Sequence, residues 1–577
     1  MTSKIKTLKR GRSIYLFISL SLFFFLLSVP LTDVGAPEPS VFWYASSLPF
    51  TFWLGLFASL CAIVLSISQK RKYLGLVSSI IPVLFLYSLP HIVHDMVPVF
   101  DVYHVIPSVL SIVETGTVDF ARINFPGSHI FQASTAMMIN VEMMTLARLF
   151  PTILAGTIAL FLFTIARRIS TRWAPVAPLT FLALNWYMEY HLARQPFTLM
   201  LWTAFWLALF LYIDTRSYRV GIVAAIILFA LVPSHPGMLI ITSFNMVVLA
   251  LVYIVTSFDD AKENYLRPFI PLLIVFVAVT GIFYTFVPEI NHYVDSVAQD
   301  FLERETTEFA LGGPADTSIQ YEFVNRLRMF SGALHSSLAF LGFITLYKRL
   351  PRKALLLGAW FFSIYLWLAY PLTHQGRYME RTFMFSLIPA SILAVALLKH
   401  FSPNRFPLVK KIRSLKNQNT KKLLQVTVIV VIAALLLTVP VTKSSIDAIE
   451  TPSRSAYQAG LHAERNFEER IYVTDTHEGM FRYIESKTSE DHTTTRQFRA
   501  RGTSPIDQPY GYRIPRTDTQ LSPILFTDYF NNYIEIRYGN TTAVIQIENY
   551  EKNISNDSNR IYDSGGARLY VEEQRGI

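Results

Sequence analysis

Long apolar segments alternate with short polar connections over most of the chain. Each apolar segment is about 17 to 21 residues long, the length that an α-helix needs to cross the hydrocarbon core of a bilayer. The first segment lies near residues 14–31 and the last near residues 423–439. The pattern predicts about thirteen membrane-spanning helices, and therefore a multi-pass membrane protein.

One connection, residues 94–148, is too long to be a simple turn between two spans. Its apolar positions recur with i, i+3, i+4, i+7 spacing at Val102, Val105, Ile106, Val109, Leu110 and Val113. This spacing predicts an amphipathic helix on the outer membrane surface. Pro107 is expected to kink this helix or delay its start, and Gly116 to end it. Residues 129–144 predict a second interfacial or re-entrant helix.

The pattern changes beyond Pro440, because no later apolar run is long enough to span a membrane. Alternating residues predict strands at 470–474, 533–537 and 542–548, and residues 559–571 predict a hairpin that turns at 563–566. We therefore expect an α-helical polytopic protein with a small α/β or β-rich outer domain. Its predicted parts are N-terminal helices (1–93), an outer loop (94–148), a transmembrane core (149–439) and a soluble domain (440–577).

Composition and charge support this topology. The chain has 577 residues, of which 52% are hydrophobic and 16% charged, with a formal net charge of +10. The Lys and Arg residues are concentrated in alternate short loops, such as 69–72, 167–172 and 347–353. The positive-inside rule then predicts a plasma-membrane protein with a cytoplasmic N-terminus and an extracellular C-terminal domain. A basic charge explained by topology argues against nucleic-acid binding.

Ionisable residues cluster where the long outer loop begins. Asp101 and His104 are three positions apart, so on a helix they share a face. A carboxylate there could act as a general base towards an attacking hydroxyl, with His104 beside it. Asp101 could equally cap the helix N-terminus, and position alone does not separate the two roles.

Metal binding is a second possibility for the same residues. A divalent cation such as Mg²⁺ or Mn²⁺ could be held by His94, Asp95, Asp101 and His104, completed by Glu303, Glu305 or Glu308 from a later loop. The loop offers fewer oxygen ligands than hard cations usually take, and no other cofactor is indicated. Cys61 is the single cysteine, which excludes an intrachain disulfide and a cysteine-based metal site.

Three arginines, Arg194, Arg377 and Arg381, lie in predicted outer connections, where the positive-inside rule disfavours them. His374 lies in the same basic connection as Arg377 and Arg381. Arg377 and Arg381 are four apart and would share a helix face, from which they could hold a lipid phosphate. Alternatively, these residues neutralise outer-loop acids such as Glu380 or bind lipid headgroups without specificity.

Several short motifs together resemble one family. They are Asp-Val-Tyr-His at 101–104, Glu-Thr-Gly at 114–116, Phe-Pro-Gly-Ser-His at 125–129 and Gly-Arg-Tyr-Met-Glu-Arg-Thr at 376–382. The chain resembles GT-C membrane glycosyltransferases of prokaryotic, archaeal type. The resemblance implies a polyprenyl-phosphate-linked sugar donor, Asp101 as catalytic base with Asp95 as the alternative, and Arg377 and Arg381 in the lipid-phosphate-binding loop.

The resemblance has departures, which leave alternatives open. Val102 follows Asp101 at a position where the family often has a second acid. Residues Arg304–Glu308 resemble the Thr-x-x-Glu motif of oligosaccharyltransferases. The Trp-Trp-Asp-Tyr-Gly signature of those enzymes is absent from the sequence. We expect inverting transfer of a sugar to a lipid-linked glycan or surface glycoprotein. The alternatives are oligosaccharyltransferase-like transfer, a scaffold without catalytic activity, and a lipid-linked glycan transporter, which would show repeated halves with broken helices.

Overall fold

The computed structural model describes most of the predicted membrane part and pieces of the C-terminal domain. The described residues are 2–34, 42–99, 101–120, 123, 125–185, 192–257, 266–287, 319–366, 377–400, 427–442, 454–466, 471–473, 498–500, 524–527, 552, 558–563 and 567–572. Of the side chains in these ranges, those of 2–11, 101, 257, 319–321 and 377–382 are not described, nor are those of several residues in the C-terminal domain.

Nine helices in the described ranges are long and apolar enough to cross a membrane. They are α1 (Thr2–Leu31), α3 (Phe50–Ser68), the continuous segment α4–α5 (Lys72–Val83 and Leu89–Val93), α8 (Met143–Arg167), α10 (Arg194–Thr215), α12 (Pro236–Ser257), α13 (Phe269–Phe286), α14 (Ile319–Tyr347) and α16 (Arg377–His400). The chain is therefore a multi-pass membrane protein, as its sequence predicts.

Eight further helices are shorter. They are α2 (Trp43–Ser47), α6 (Asp101–Thr115), α7 (Gly127–Ile139), α9 (Val176–Leu184), α11 (Tyr218–Leu231), α15 (Pro351–Leu366), α17 (Thr427–Thr442) and α18 (Arg454–Asn466). Four of the predicted spans coincide with α9, α11, α15 and α17, none of which reaches 18 residues in the described part of the chain.

The third span contains a π-helical turn, Leu84–Ser88, between α4 and α5. Wider helical turns of this kind are rare, and those that are found often lie near functional sites. The turn directs two polar side chains to neighbouring helices. The Tyr87 hydroxyl accepts a hydrogen bond from Asn185 Nδ2 at 2.8 Å, and the hydroxyls of Ser88 and Thr152 are 2.6 Å apart.

A buried aromatic and polar cluster joins α10, α12 and α15. The Trp206 and Trp360 rings stack with centroids 4.4 Å apart. Trp206 Nε1 donates to Asn245 Oδ1 at 3.2 Å, and Asn245 Nδ2 donates to Ser363 Oγ at 2.5 Å. Because lipid offers no hydrogen-bonding partner, such pairing between helices satisfies polar groups that would be costly if left alone.

Lysine side chains link four predicted cytoplasmic loops, 167–172, 214–219, 347–353 and 399–422, at one end of the bundle. Lys399 Nζ donates to the Ile169 carbonyl at 2.6 Å. Lys353 Nζ donates to the Arg168 carbonyl at 3.3 Å and lies 3.6 Å from the Asp214 carboxylate. These loops therefore meet at one end of the bundle, as expected if successive helices cross the membrane in opposite directions. The assignment of this end to the cytoplasm stays a prediction.

Five short strands form one mixed sheet inside the predicted C-terminal domain. They are β1 (Ile471–Val473), β2 (Phe498–Ala500), β3 (Ile524–Thr527), β4 (Ser558–Asp563) and β5 (Ala567–Glu572), in the order β2-β1-β3-β5-β4. The antiparallel β4–β5 pair confirms the predicted hairpin, and β1 confirms the strand predicted at 470–474. The strands predicted at 533–537 and 542–548 lie outside the described residues.

Helices α14 and α16 pack closely because Gly342 carries no side chain. A Cβ atom at Gly342 would collide with the backbone carbonyl of Leu393 on α16. Small residues permit this kind of backbone approach between membrane helices.

We expect Gly342→Ala to separate these two helices and to destabilise the protein by about 1–3 kcal/mol, the usual cost of overpacking. The measurement is thermal unfolding of the purified protein in detergent. Gly156→Ala is the matched control, since no atom lies within 4 Å of a Cβ built there. Equal unfolding temperatures for the two variants would contradict the close approach.

Candidate functional site

The loop after α5 is held by the guanidinium group of Arg148, which lies in the first turns of α8. Arg148 Nη1 donates to the carbonyls of His91 at 2.7 Å and His94 at 2.9 Å. Its Nη2 donates to the carbonyl of Asp95 at 2.7 Å. The last carbonyls of a helix lack partners within the helix, so this one side chain both caps α5 and fixes the direction of the loop.

A second anchor comes from α6, which follows the loop. The buried Tyr103 hydroxyl accepts a hydrogen bond from the Val97 amide at 3.0 Å and donates to the Val97 carbonyl at 3.3 Å. Val99 takes a left-handed backbone conformation with φ of 72°. That conformation is unfavourable for a β-branched residue, and strained residues of this kind concentrate at functional sites.

His94 is buried between two aromatic side chains of α2. Its ring centroid lies 5.4 Å from those of Trp43 and Tyr44. Its Nδ1 lies 2.6 Å from the Pro90 carbonyl, one turn back in α5. These contacts give His94 a structural role at the base of the loop.

Asp95 is exposed and faces the C-terminal domain. Its Oδ2 atom lies 3.4 Å from Arg454 Nη1 on α18. An exposed ion pair of this length contributes little to stability. It nevertheless places the start of α18 beside the loop that leads to Asp101.

The predicted amphipathic helix is confirmed as α6. It begins at Asp101, so Pro107 does not delay its start, and Gly116 follows its end with φ of 68°. Val102, Ile106 and Val109 are buried. Asp101 and His104 lie on the same helix three residues apart and therefore share a face; the side chain of Asp101 lies outside the described part.

Helix α7, the second predicted loop helix, packs against α6 and the start of α10. The rings of Phe131 on α7 and Phe197 on α10 stack with centroids 4.5 Å apart. His129 is buried, and burial together with the nearby Arg194 charge lowers its pKa from 6.5 to about 3, against the opposing effect of the Phe125 backbone. His129 is therefore neutral at physiological pH.

The predicted phosphate-binding residues lie at helix starts. Arg194 is the first residue of α10 and is half-buried. Arg377 and Arg381 both fall within the first two turns of α16, so the helical spacing predicted for them is confirmed, although their side chains are not described. His374 lies outside the described residues.

The structure brings together only part of the predicted metal-ligand set. Among the described residues, no group of three or more His, Cys, Asp or Glu side chains could hold a metal ion. Glu308 is not described, and neither is the side chain of Asp101. The divalent-cation site therefore remains a prediction.

Sequence reasoning did not single out Arg148, or Ser128 and Gln132 on α7. Arg148 carries the same signal as Arg194, since it is a basic residue in a connection predicted to lie outside. Ser128 and Gln132 give no such signal, because isolated neutral polar residues are ordinary in an interfacial helix.

Comparison with known proteins identifies the fold. No family model matches the chain, and no curated protein sequence matches it. Among solved structures, it is similar to ArnT from Cupriavidus metallidurans bound to undecaprenyl phosphate, with 12% identity and a TM-score of 0.52 over 88% of this chain and 98% of that chain. The chain therefore shares the fold of ArnT. The apo crystal structure of the same ArnT matches at 11% identity over 87% of this chain and 98% of that chain, with a TM-score of 0.49.

The shared fold extends over nearly the whole length of ArnT, so the similarity is not confined to a few hydrophobic helices.

We expect Arg148→Lys to loosen the loop, because an ammonium group cannot reach three carbonyls with the geometry of a guanidinium. A buried carbonyl without its partner costs about 1–3 kcal/mol. Hydrogen–deuterium exchange at residues 95–99 should therefore accelerate about tenfold or more. The control is Arg326→Lys, since Arg326 is exposed and bonds Glu322 on its own helix. Unchanged exchange in the Arg148 variant would contradict the anchoring role.

The lowered pKa of His129 predicts acid sensitivity. Below about pH 6.5 the unfolded chain takes up a proton at His129, whereas the folded protein does so only near its pKa of about 3. Stability therefore falls as pH decreases through this window, by about 2 kcal/mol at about pH 5. Thermal unfolding of His129→Gln should show a smaller acid-induced decrease than the unmodified protein. Identical decreases would contradict the burial of His129.

Proposed function

We propose that this protein is a membrane glycosyltransferase that uses a polyprenyl-phosphate-linked sugar. The observation that carries the proposal is the GT-C-like fold shared with ArnT, whose crystal structure holds undecaprenyl phosphate. The sugar would pass to an acceptor at the outer membrane face, either a lipid-linked glycan or a surface glycoprotein. The motif resemblance of the outer loop supports the same class of reaction.

Asp101 is the proposed general base, with Asp95 as the alternative. Its carboxylate would take the proton from an acceptor hydroxyl as that oxygen attacks the anomeric carbon of the donor sugar. The bond from this carbon to the phosphate oxygen breaks on the opposite face, so the configuration is inverted and the polyprenyl phosphate leaves as an anion. His104, one helical turn from Asp101, would help to orient the base or the acceptor. The anchors on the preceding loop support this assignment, because Arg148 and Tyr103 fix the backbone that leads to Asp101.

The leaving phosphate would be held by the basic residues at the helix starts. Arg377 and Arg381 precede the long apolar part of α16, and Arg194 begins α10. A helix N-terminus carries partial positive charge, and arginine forks match phosphate oxygens, so both features stabilise a developing phosphate anion. His374 would lie next to them in the chain and add a further donor.

The decisive experiment is sugar transfer in membranes from a panel of radiolabelled polyprenyl-phosphate sugars. We expect Asp101→Asn to lower the transfer rate by about 10²–10⁴-fold at matched expression, the range for loss of a general base. Asp119→Asn is the control, since Asp119 is an exposed acid of the same loop. Repeating the assay with a chelator tests the alternative that residues of this loop hold Mg²⁺ or Mn²⁺.

If sugar transfer survives in Asp101→Asn and is lost in Asp95→Asn, Asp95 is the general base instead of Asp101. Labelled lipid that crosses the bilayer without any sugar transfer would replace the enzyme proposal with a transporter.

A further inference from the structure

Helix α7 has the reverse of the usual amphipathic pattern. Its outward face carries large apolar side chains, namely Ile130, Phe131, Met137, Met138 and Ile139, and Met138 is 85% exposed. Its inward face carries Ser128, His129 and Gln132, and Gln132 is 0% exposed. At 13 residues α7 is too short to span a bilayer, so we place its apolar face against lipid and its polar face against the protein interior.

Three polar atoms on the inward face have no hydrogen-bond partner in the described part of the chain. Among the described residues of this face, the atoms without a partner are Ser128 Oγ, Gln132 Oε1 and Gln132 Nε2, all enclosed by protein, whereas the His129 ring interacts with the Phe125 backbone. A buried polar group without a partner costs about 1–3 kcal/mol, and most buried polar groups in folded proteins are paired. Three such atoms within five residues are therefore expensive to maintain without a ligand. Binding sites for polar ligands often carry this cost, because the ligand supplies the missing partners.

Helix α7 is held rigidly in place next to Arg194. The Gly127 amide donates to the Pro233 carbonyl at 2.9 Å, and a Cβ at Gly127 would lie 2.5 Å from Ser234 Oγ. The stacked rings of Phe131 and Phe197 fix the next turn against α10. The polar face of α7 is thus preorganised beside a residue that we assign to the donor phosphate.

We propose that Ser128, His129 and Gln132 form a subsite for the hydroxyl groups of a sugar. A hydroxyl and a primary amide each offer both donors and acceptors, and the low pKa of His129 leaves its imidazole with one of each. A phosphate would require donors only and a cation acceptors only, so the mixture fits a neutral polyol. This inference rests on the proposed function, and the sugar belongs either to the donor or to the acceptor.

The test compares the unmodified protein in lipid nanodiscs with Gln132→Met, which keeps the side-chain length and removes both polar atoms. Three probes are bound to each protein: undecaprenyl phosphate, a panel of undecaprenyl-phosphate hexoses and the corresponding methyl hexosides. We expect Gln132→Met to weaken binding of sugar-bearing probes about tenfold, the loss of one good polar contact, and to leave undecaprenyl phosphate unchanged. Ser134→Met, an exposed position on the same helix, is the matched control.

The unliganded variant should also unfold at the same temperature as the unmodified protein or higher, because it loses two unsatisfied buried atoms. A structural role for Gln132 would instead lower that temperature, which would overturn the proposal. Weakened binding of the hexosyl lipids alone places the donor sugar at α7, and weakened binding of the methyl hexosides alone places the acceptor sugar there.

Two results would refute the subsite while leaving the proposed function intact. In the first, Gln132→Met and the unmodified protein bind every sugar-bearing probe with equal affinity. In the second, Gln132→Met weakens the binding of undecaprenyl phosphate as much as that of the sugar-bearing probes. If the unmodified protein bound undecaprenyl phosphate but had no preference for its hexosyl forms, the subsite would also be refuted. Failure of the unmodified protein to bind undecaprenyl phosphate would remove the proposed function and this inference together.

Discussion

The loop that leads to Asp101 depends on the hydrogen bonds that Arg148 donates to three backbone carbonyls at the end of α5. Where a spanning helix ends near the membrane boundary, its last carbonyls need donors that lipid does not provide. A single guanidinium satisfies them from a neighbouring helix and sets the direction in which the chain continues. Tyr103 then secures the following residues from the other side. The position of α6, and with it the proposed base, follows from these two anchors.

The same solution recurs at the opposite end of the bundle, where Lys353 and Lys399 donate to the carbonyls that follow α8. Basic residues there have a second role besides topology, because they terminate helices at a boundary where backbone groups lose their partners. The charge distribution and the helix packing of this protein are therefore linked. A change that removes one of these lysines affects a helix end as well as the net charge.

Most of the fold could be predicted from the sequence, because the length of an apolar run reports directly on the thickness of the bilayer. The sequence also predicted the helix from Val102 to Val113 and the hairpin near Asp563, since both depend on residues that are close together in the chain. The hydrogen bonds of Arg148 could not be predicted, because their carbonyl acceptors are more than fifty residues away and carry no sequence signal. The burial of Gln132 was also hidden. In a helix between water and protein, the polar face is normally the exposed one and the apolar face is buried. Helix α7 lies between lipid and protein, so its apolar face is exposed and its polar face is buried.

The π-helical turn Leu84–Ser88 has a consequence for how the third span tolerates change. One additional residue in a helical turn rotates everything beyond it by about 100° relative to an uninterrupted α-helix. The face of α5 that presents His91, and the direction of His94 just beyond the helix, are therefore set by the number of residues upstream as well as by side-chain chemistry. A deletion within the turn would keep every apolar side chain in an apolar span, and would still aim the outer loop in another direction.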